Sequence, residues 1–348
     1  MKKESWISRL AFFVNKVLAI LTFLAYILPF LAPKLFPFLS VLTLLLPLFL
    51  IVNFIFFIVW VLQLKRKALL SGFVLLIGIT FINKLYRFSE TNEKAESNDF
   101  TLMSYNVRLF NKYEWLPNKK VPSDISDVIQ NYNPDILCLQ EYTPNENVRL
   151  RNFPFKNIEL EGNKNKYGQA IFSKYEIINT GEIDFPNSSN NVIFADIVKF
   201  KDTIRVYSMH LQSIKISTDI HEKLDENKSK FIFMRISEAF KEQQLQSELI
   251  KAHYDSCKYP KIICGDLNNS AFSYVYRNIK GEMNDAFEEA GSGFGKSYNF
   301  KYYPARIDYV FVEDIFKVKE FQTNNQVKLS DHFPVITRLE IVEKESKK

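Results

Sequence analysis

Between Leu10 and Asn83 nearly every position is apolar, whereas from Glu90 onward short apolar runs alternate with charged ones. Three apolar stretches, about Leu10–Ala32, Phe38–Leu62 and Ala68–Asn83, predict three helices able to cross a bilayer whose hydrocarbon core is ~30 Å thick. The second spans unaided; the first carries Asn15 and Lys16 near its start, and the third is short. Lys2, Lys3 and Arg9 before the first run resemble the start of a signal peptide. No small-residue cleavage site follows, however, and two more apolar runs do, so the segment is expected to stay as an anchor. Runs this long with so few charges argue against the buried core of a soluble protein.

Beyond Phe100 the pattern predicts strands at Phe100–Tyr105, Ile136–Gln140, Ala170–Ser173, Val192–Val198, Thr203–Met209, Lys261–Cys264, Ala305–Val312 and Val335–Ile341. A helix is expected over Ile125–Asn131, closed by Asn133-Pro134-Asp135. Another is expected in the later half of the charged stretch Ser213–Tyr254, where Ile236, Ala239, Phe240, Leu249 and Ile250 form an apolar face. The expected layout is a membrane anchor at 1–88, a polar tether at 89–98, one α/β domain at 99–343 and a charged tail at 344–348.

Charge follows that division. The whole chain carries +6, but residues 1–88 hold ten Lys/Arg against Glu4, a net +9, so the remainder carries 6 − 9 = −3. The basic excess therefore flanks the membrane segments, and the globular part has no general basic stripe. Local basic patches, for example around Lys164–Lys174 or Lys296–Arg306, remain open to nucleic acid. Lys2, Lys3, Arg9 and the cluster Lys65-Arg66-Lys67 are expected in the cytoplasm, which puts everything after three crossings outside the cytoplasmic membrane. With only two crossings the domain would be cytoplasmic. Cys138, Cys257 and Cys264 show no metal-type spacing, and the first and last sit in apolar runs as buried thiols do. Asn187 and Asn268 begin glycosylation sequons by pattern alone.

Six segments present a polar group immediately after apolar residues: Met103-Ser104-Tyr105-Asn106, Leu137-Cys138-Leu139-Gln140-Glu141, Tyr207-Ser208-Met209-His210, Gly265-Asp266-Leu267-Asn268, Arg306-Ile307-Asp308 and Ser330-Asp331-His332. Each alone has an ordinary explanation, such as a solvated carboxylate or a hydrogen-bonded structural histidine. Six in one domain are hard to explain separately. Without a G-x-G-x-x-G or P-loop motif, phosphate chemistry here must come from side chains and metal.

Together these segments resemble the endonuclease/exonuclease/phosphatase superfamily over about residues 99–343, most specifically in Gly265–Asn268 and Ser330–Pro334. The likeness is to membrane-anchored bacterial members. It implies a four-layer α/β sandwich, two mixed sheets flanked by helices, here preceded by about three transmembrane helices. It further implies that Glu141, Asn106 and Asp331 hold Mg²⁺, with Mn²⁺ as the alternative. By the same resemblance His210 donates to a phosphate oxygen, Asp266 deprotonates or orients water, with His332 as the alternative base, Asn268 fixes that water and Asp308 holds His332.

Physical logic agrees with such a set. Mg²⁺ keeps several waters and needs one or two carboxylates plus substrate oxygens. In-line attack on a phosphoester needs positioned water and charge neutralisation. His332 beside Asp308 is expected to favour the imidazolium form. Arg108 stands where other branches carry acidic or aromatic residues, and suits either a second phosphate or a neighbouring carboxylate. No acidic partner for His210 is evident near Gly168–Lys174.

The expected activity is a metal-dependent hydrolysis of phosphodiesters or phosphomonoesters. The substrate is a nucleic acid or a phospholipid headgroup. A net charge of −3 speaks mildly against duplex binding, and tethering raises the effective concentration of a membrane substrate. An inactive scaffold is the less favoured alternative, and no protein partner is expected.

Overall fold

A computed structural model describes residues 5–162, 166–186, 188–199, 201–214, 226–301 and 303–342. The sequon at Asn187, the amino end of the Lys164–Lys174 patch and the 344–348 tail lie outside the described residues. Two compact units emerge. One holds the described residues up to Leu85, those of 226–244 and Ser270–Arg277, and the other holds the remainder.

In the first unit three helices, Trp6–Phe30, Pro37–Leu62 and Ala68–Leu85, are long and apolar enough to cross a membrane. Their few polar side chains pair with one another. Asn15 Nδ2 donates to Ser71 Oγ at 2.9 Å, Trp60 Nε1 donates to Asn15 Oδ1 at 3.0 Å, and Asn53 Nδ2 donates to Thr22 Oγ1 at 2.9 Å. Buried hydrogen bonds of this kind hold apolar helices together where hydrophobicity alone does not discriminate between faces. At one end, Lys65 Nζ and Lys67 Nζ both donate to Ser8 Oγ, at 2.9 and 3.2 Å. The end of the first helix, the loop after it and the start of the second helix instead meet later parts of the chain. Phe38 stacks on Phe233 at 5.7 Å, Lys34 N donates to Gln244 Oε1 at 2.8 Å, and the Arg277 guanidinium lies 4.3 Å from the Phe30 ring.

The second unit contains, among the described residues, strands β1 (Phe100–Asn106), β2 (Ile136–Tyr142), β3 (Phe155–Glu161), β4 (Tyr167–Ser173), β5 (Ile177–Asp184), β6 (Asn191–Lys199), β7 (Asp202–His210), β8 (Lys261–Asp266), β9 (Asn284–Asp285), β10 (Asp308–Val312), β11 (Phe316–Thr323) and β12 (Val335–Ile341). They make two six-stranded mixed sheets, ordered β11-β12-β1-β2-β4-β3 and β5-β6-β7-β8-β10-β9. Leu102, Ile136, Cys138, Ile193, Val206, Cys264 and Val310 fill the layer between the sheets. Met103, Tyr105, Leu137 and Leu139, on the alternate positions, pack outward against Val121, Ile125 and Ile129 of the helix Val121–Tyr132. Inner strands buried on both faces read as continuous apolar runs for this reason. On the outer face of the second sheet, Tyr207 Oη lies 3.0 Å from His253 Nδ1 of the helix Glu226–Asp255. The result is the four-layer α/β sandwich with two mixed sheets and helices outside.

Each sheet has a single parallel pair, β1 with β2 and β7 with β8. Parallel neighbours end at the same margin, and the register pairs Asn106 with Gln140 and His210 with Asp266. Antiparallel β10 begins there too, with Asp308 opposite Asp266. This topology brings strand ends from distant sequence to one edge.

Three expectations change. Strand β10 starts at Asp308, not Ala305, because Ala305 and Ile307 are spent on a turn held by Ser297. The polar segment after residue 88 is no free tether: Glu93 N donates to the Lys319 carbonyl at 3.1 Å, Lys317 pairs with Glu93 at 2.6 Å, and Asn92 bridges to Glu320. It lies along β11 and covers a sheet edge that would otherwise expose its backbone.

The third concerns the basic patches, which thin out. Lys174 pairs with Asp135 at 3.3 Å, and Arg306 is buried against Asp285 at 2.7 Å and stacks on Phe287 and Tyr309. Asp285 also accepts from Phe287 N at 2.9 Å, capping a short helix. Removing one partner of such a pair strands the other charge in the core, so Asp285→Ala is expected to cost about 3–5 kcal/mol. A urea midpoint unchanged from wild type would contradict this. Cys138, Cys257 and Cys264 are all free thiols, the first and last buried.

Candidate active site

The eight residues singled out from sequence, Asn106, Glu141, His210, Asp266, Asn268, Asp308, Asp331 and His332, meet at the common strand margin. Local backbone explains how. Glu141 sits at a β-bulge between β2 and β4 with φ +50°, and Asn268 has φ +51°. Non-glycine residues rarely adopt this left-handed region, which costs roughly 1–2 kcal/mol per residue; here it accompanies a Glu141 side chain that meets Asn106 and an Asn268 side chain that meets the Leu211 carbonyl. Gly265, at φ +126°, is required for a different reason: a Cβ there would lie 2.1 Å from the Met209 carbonyl oxygen of the parallel neighbour.

Asp266 is the hub. Its Oδ1 accepts from Asn268 N at 2.8 Å and its Oδ2 accepts from Asn106 Nδ2 at 3.1 Å. The imidazole Nε2 atoms of His332 and His210 stand 3.5 and 3.8 Å from Oδ2. Burial raises the Asp266 carboxyl to about 7, with His332 pulling down and Asp308 pushing up. A carboxyl poised near neutrality is suited to take a proton from water.

His332 Nδ1 faces both oxygens of Asp308 at 3.0 and 3.1 Å, and Tyr298 packs edge-on at 4.9 Å. Burial opposes its charge, but Asp308 and then Asp266 outweigh that, raising His332 to about 10. His210 behaves oppositely. Burial, then repulsion from His332, lowers it to about 3, so it is a neutral imidazole carrying one N–H. Its nearest acids are Glu141 at 3.9 Å and Asp266 at 3.8 Å, and among the described residues no side-chain hydrogen bond orients it. Among the described residues, then, no acidic side chain hydrogen-bonds to His210.

Asp266, Asp308 and His332 offer ligand atoms within 4.8 Å of one another. That trio is unsuited to a metal, since Nδ1 is committed to Asp308 and an imidazolium has no lone pair to give. The fitting donors are the oxygens of Glu141 and Asp331, whose side chains are 31% and 19% exposed. Burial raises Glu141, His332 opposes this and Asp331 adds to it. Among the described residues, the four carboxyl groups of Glu141, Asp266, Asp308 and Asp331 face two cations, His332 and Arg108. This excess of hard, negative oxygen fits a divalent ion.

Asn106 turns its amide between the acids. Its NH₂ group, not its oxygen, faces Glu141 at 3.3 Å and Asp266 at 3.1 Å, while its Oδ1 accepts from Arg108 N at 3.1 Å. It bridges two acids. Arg108 in turn reaches Asp331, Nε to Oδ2, at 3.4 Å. Asn268 Nδ2 donates to the Leu211 carbonyl at 2.9 Å.

Several braces were not legible beforehand. Ser297 Oγ accepts from the backbone N–H groups of Ile307 and Asp308, both at 3.0 Å, and so fixes where β10 begins. Ser330 Oγ donates to the Asn106 carbonyl at 2.8 Å and ties the Asp331-His332 loop to β1. Beneath the site a buried chain crosses between the sheets: Gln140 Nε2 donates to Ser208 Oγ at 2.9 Å, Ser208 Oγ donates to Gln169 Oε1 at 2.8 Å, and Gln169 Nε2 donates to the Asn191 carbonyl at 2.7 Å. Only the oddity of amides within apolar strands, at Gln140 and Gln169, signalled it.

A family model described as Endonuclease/Exonuclease/phosphatase family matches residues 103–332, and one described as a domain of unknown function (DUF8431) matches residues 8–85. A search of the curated proteins gives no match. Similar solved structures include an endonuclease/exonuclease/phosphatase from Bacteroides vulgatus, at 19% identity and TM-score 0.52, covering 70% of this chain and 99% of that one. D. rerio TDP2 complexed with single-strand DNA product aligns at 17% identity and TM-score 0.52, over 70% of this chain and 100% of that one. The human Nocturnin catalytic domain with bound sulfate aligns at 16% identity and TM-score 0.52, over 74% and 98%. At such identities the structural likeness is one of fold. The family match, covering well over half of the chain, settles membership: this protein belongs to the endonuclease/exonuclease/phosphatase family of metal-dependent phosphoric ester hydrolases.

Proposed function

We propose that the protein is a membrane-anchored, Mg²⁺-dependent hydrolase of phosphodiesters or phosphomonoesters that uses water as the nucleophile. The observation that carries this reading is the pairing of an Asp266 carboxyl raised to about 7 with a His332 imidazolium held by Asp308, beside the outward oxygens of Glu141 and Asp331. Glu141 and Asp331 would hold the metal, which when bound neutralises charge on the phosphate oxygens. Asp266 receives the proton of the attacking water. Asn268, fixed by Leu211, orients that water. The His332 cation and the single N–H of His210 pair with non-bridging phosphate oxygens. As the new P–O bond forms, the leaving oxygen takes the pair from the broken one and is protonated by solvent.

Chelation is the direct test. Full-length protein in nanodiscs should hydrolyse bis(p-nitrophenyl) phosphate with Mg²⁺, lose at least a hundredfold of that rate in EDTA, and regain it when Mg²⁺ is restored. A rate indifferent to EDTA would refute the metal's part.

The three apolar helices serve as the anchor in this reading, with the catalytic domain outside the cytoplasmic membrane. Contacts within the helical unit support it. The Lys65 and Lys67 contacts with Ser8 bring the start of the first helix to the basic turn after the second, whereas Lys34 in the first loop and Phe38 at the start of the second helix meet Gln244 and Phe233, which belong to the chain beyond the third helix. Protease added to intact spheroplasts should remove the domain; full protection would place it in the cytoplasm.

A further inference from the structure

Immediately after Asn106 the backbone makes an unusual turn. Arg108, Leu109, Phe110 and Asn111 all have left-handed φ, from +43° to +61°, and Glu114 follows at +56°. Four consecutive non-glycine residues in this region carry appreciable strain, which persists only where surrounding contacts impose it. Those contacts are specific. Asn111 Oδ1 accepts from Leu116 N at 2.9 Å, and its Nδ2 donates to the carbonyls of Leu116 and Asn118 at 2.9 and 3.3 Å. Asn118 Nδ2 donates to Asp124 Oδ2 at 2.8 Å, tying the loop to the next helix.

What the loop displays is aromatic and basic. The Arg108 guanidinium lies 4.4 Å from the Trp115 ring centroid while its Nε reaches Asp331. Tyr113 packs edge-on to Trp115 at 5.3 Å and 71°. Both rings stay open to solvent, Trp115 at 41% and Tyr113 at 56%. Residues 108–120 contain Arg108, Lys112, Lys119 and Lys120 against Glu114 alone, a local net of 4 − 1 = +3 within a globular part of net −3. A single exposed ring needs no explanation, but two rings and a stacked guanidinium on a braced, strained loop beside the reactive carboxylates do.

We propose that this loop is a stacking shelf for a nucleobase borne by the scissile phosphate, with its lysines facing further phosphates of a single strand. The inference rests on the hydrolase reading and names the substrate side of that site. Aromatic faces interleaved with cations hold single-stranded nucleic acid with little sequence preference, because every base has a π-face.

The test uses the full-length chain and two esters that release the same leaving group, thymidine 5′-(p-nitrophenyl phosphate) and methyl p-nitrophenyl phosphate. Wild type should favour the nucleoside ester at least tenfold in kcat/KM. Trp115→Ala and Tyr113→Ala should each erode that ratio through KM, and Trp115→Phe should largely retain it. Equal rates on the two esters, or a ratio untouched by Trp115→Ala, would overturn the shelf while leaving the hydrolase reading intact. A second readout needs no turnover: anisotropy of fluorescein-labelled oligothymidylate in EDTA should show binding weakened at least fivefold by Trp115→Ala. Unchanged anisotropy overturns the proposal even if neither ester is cleaved. Weakened kcat/KM on the nucleoside ester without any oligothymidylate binding would overturn the strand-binding part of the proposal and assign the base to a free nucleotide.

Discussion

Asp266→Asn should lower turnover by more than about a hundredfold while the domain stays folded, a loss within the 10²–10⁴ range of a general base. The substitution preserves volume at a fully buried position, so the hydrophobic layers are untouched. It removes the charge that draws His332 toward Oδ2 and the lone pair that would accept the water's proton. It also sets an amide NH₂ against Asn106 Nδ2 or the Asn268 N–H, which donate to Asp266 in the native arrangement. His332→Ala should be comparably damaging by another route, because it leaves Asp308 buried with its main cation gone. Steady-state kinetics paired with urea unfolding separates the two effects. Wild-type turnover in both variants would dismiss the site assignment.

The second large effect concerns the metal. Glu141→Gln keeps the shape of a side chain held at an unfavourable backbone angle but deletes one of the two outward-facing carboxylates. The Mg²⁺ concentration giving half-maximal rate is expected to rise at least tenfold, with part of the activity recovered at high Mg²⁺. An unchanged titration would show that Glu141 holds no metal. The loss should be smaller for Asn106→Asp, since that residue offers its NH₂ group to the acids and not its oxygen.

The sandwich and much of its site could be read from the chain, and the omissions share a cause. The strands anticipated were β1, β2, β4, β6, β7, β8, β10 and β12, all interior to their sheets. Those missed, β3, β5, β9 and β11, are the four edges. Interior strands are buried on both faces and announce themselves as apolar runs, whereas an edge strand such as Phe155–Glu161 or Phe316–Thr323 carries charges that guard it against pairing with other chains. The polar segment around Glu93 is solvated as its composition predicts, and its backbone additionally hydrogen-bonds to the open edge of β11, which composition does not announce.

Site residues were legible because each follows closely on an apolar residue in the sequence, and the two parallel pairs, with antiparallel β10 starting beside them, carry strand ends to one margin. What sequence spacing did not disclose was orientation. Nothing in Asn106 alone indicates which side of its amide faces the acids, and nothing in Ser297, ten residues before Ile307, marks it as the acceptor that starts β10. Arg108 was left between a phosphate and a carboxylate as partner; the fold gives it Asp331, and adds a Trp115 ring that spacing could not place.

Diffraction from crystals soaked in Mn²⁺, collected at the manganese edge, would locate the ion by its anomalous signal without reference to activity. The arrangement of acids predicts one dominant peak bonded to the Glu141 carboxylate, on the side shared with Asp331. A peak held instead by Asp266, Asp308 and His332, or none at this margin, would contradict the claim that these distant residues converge on a divalent ion.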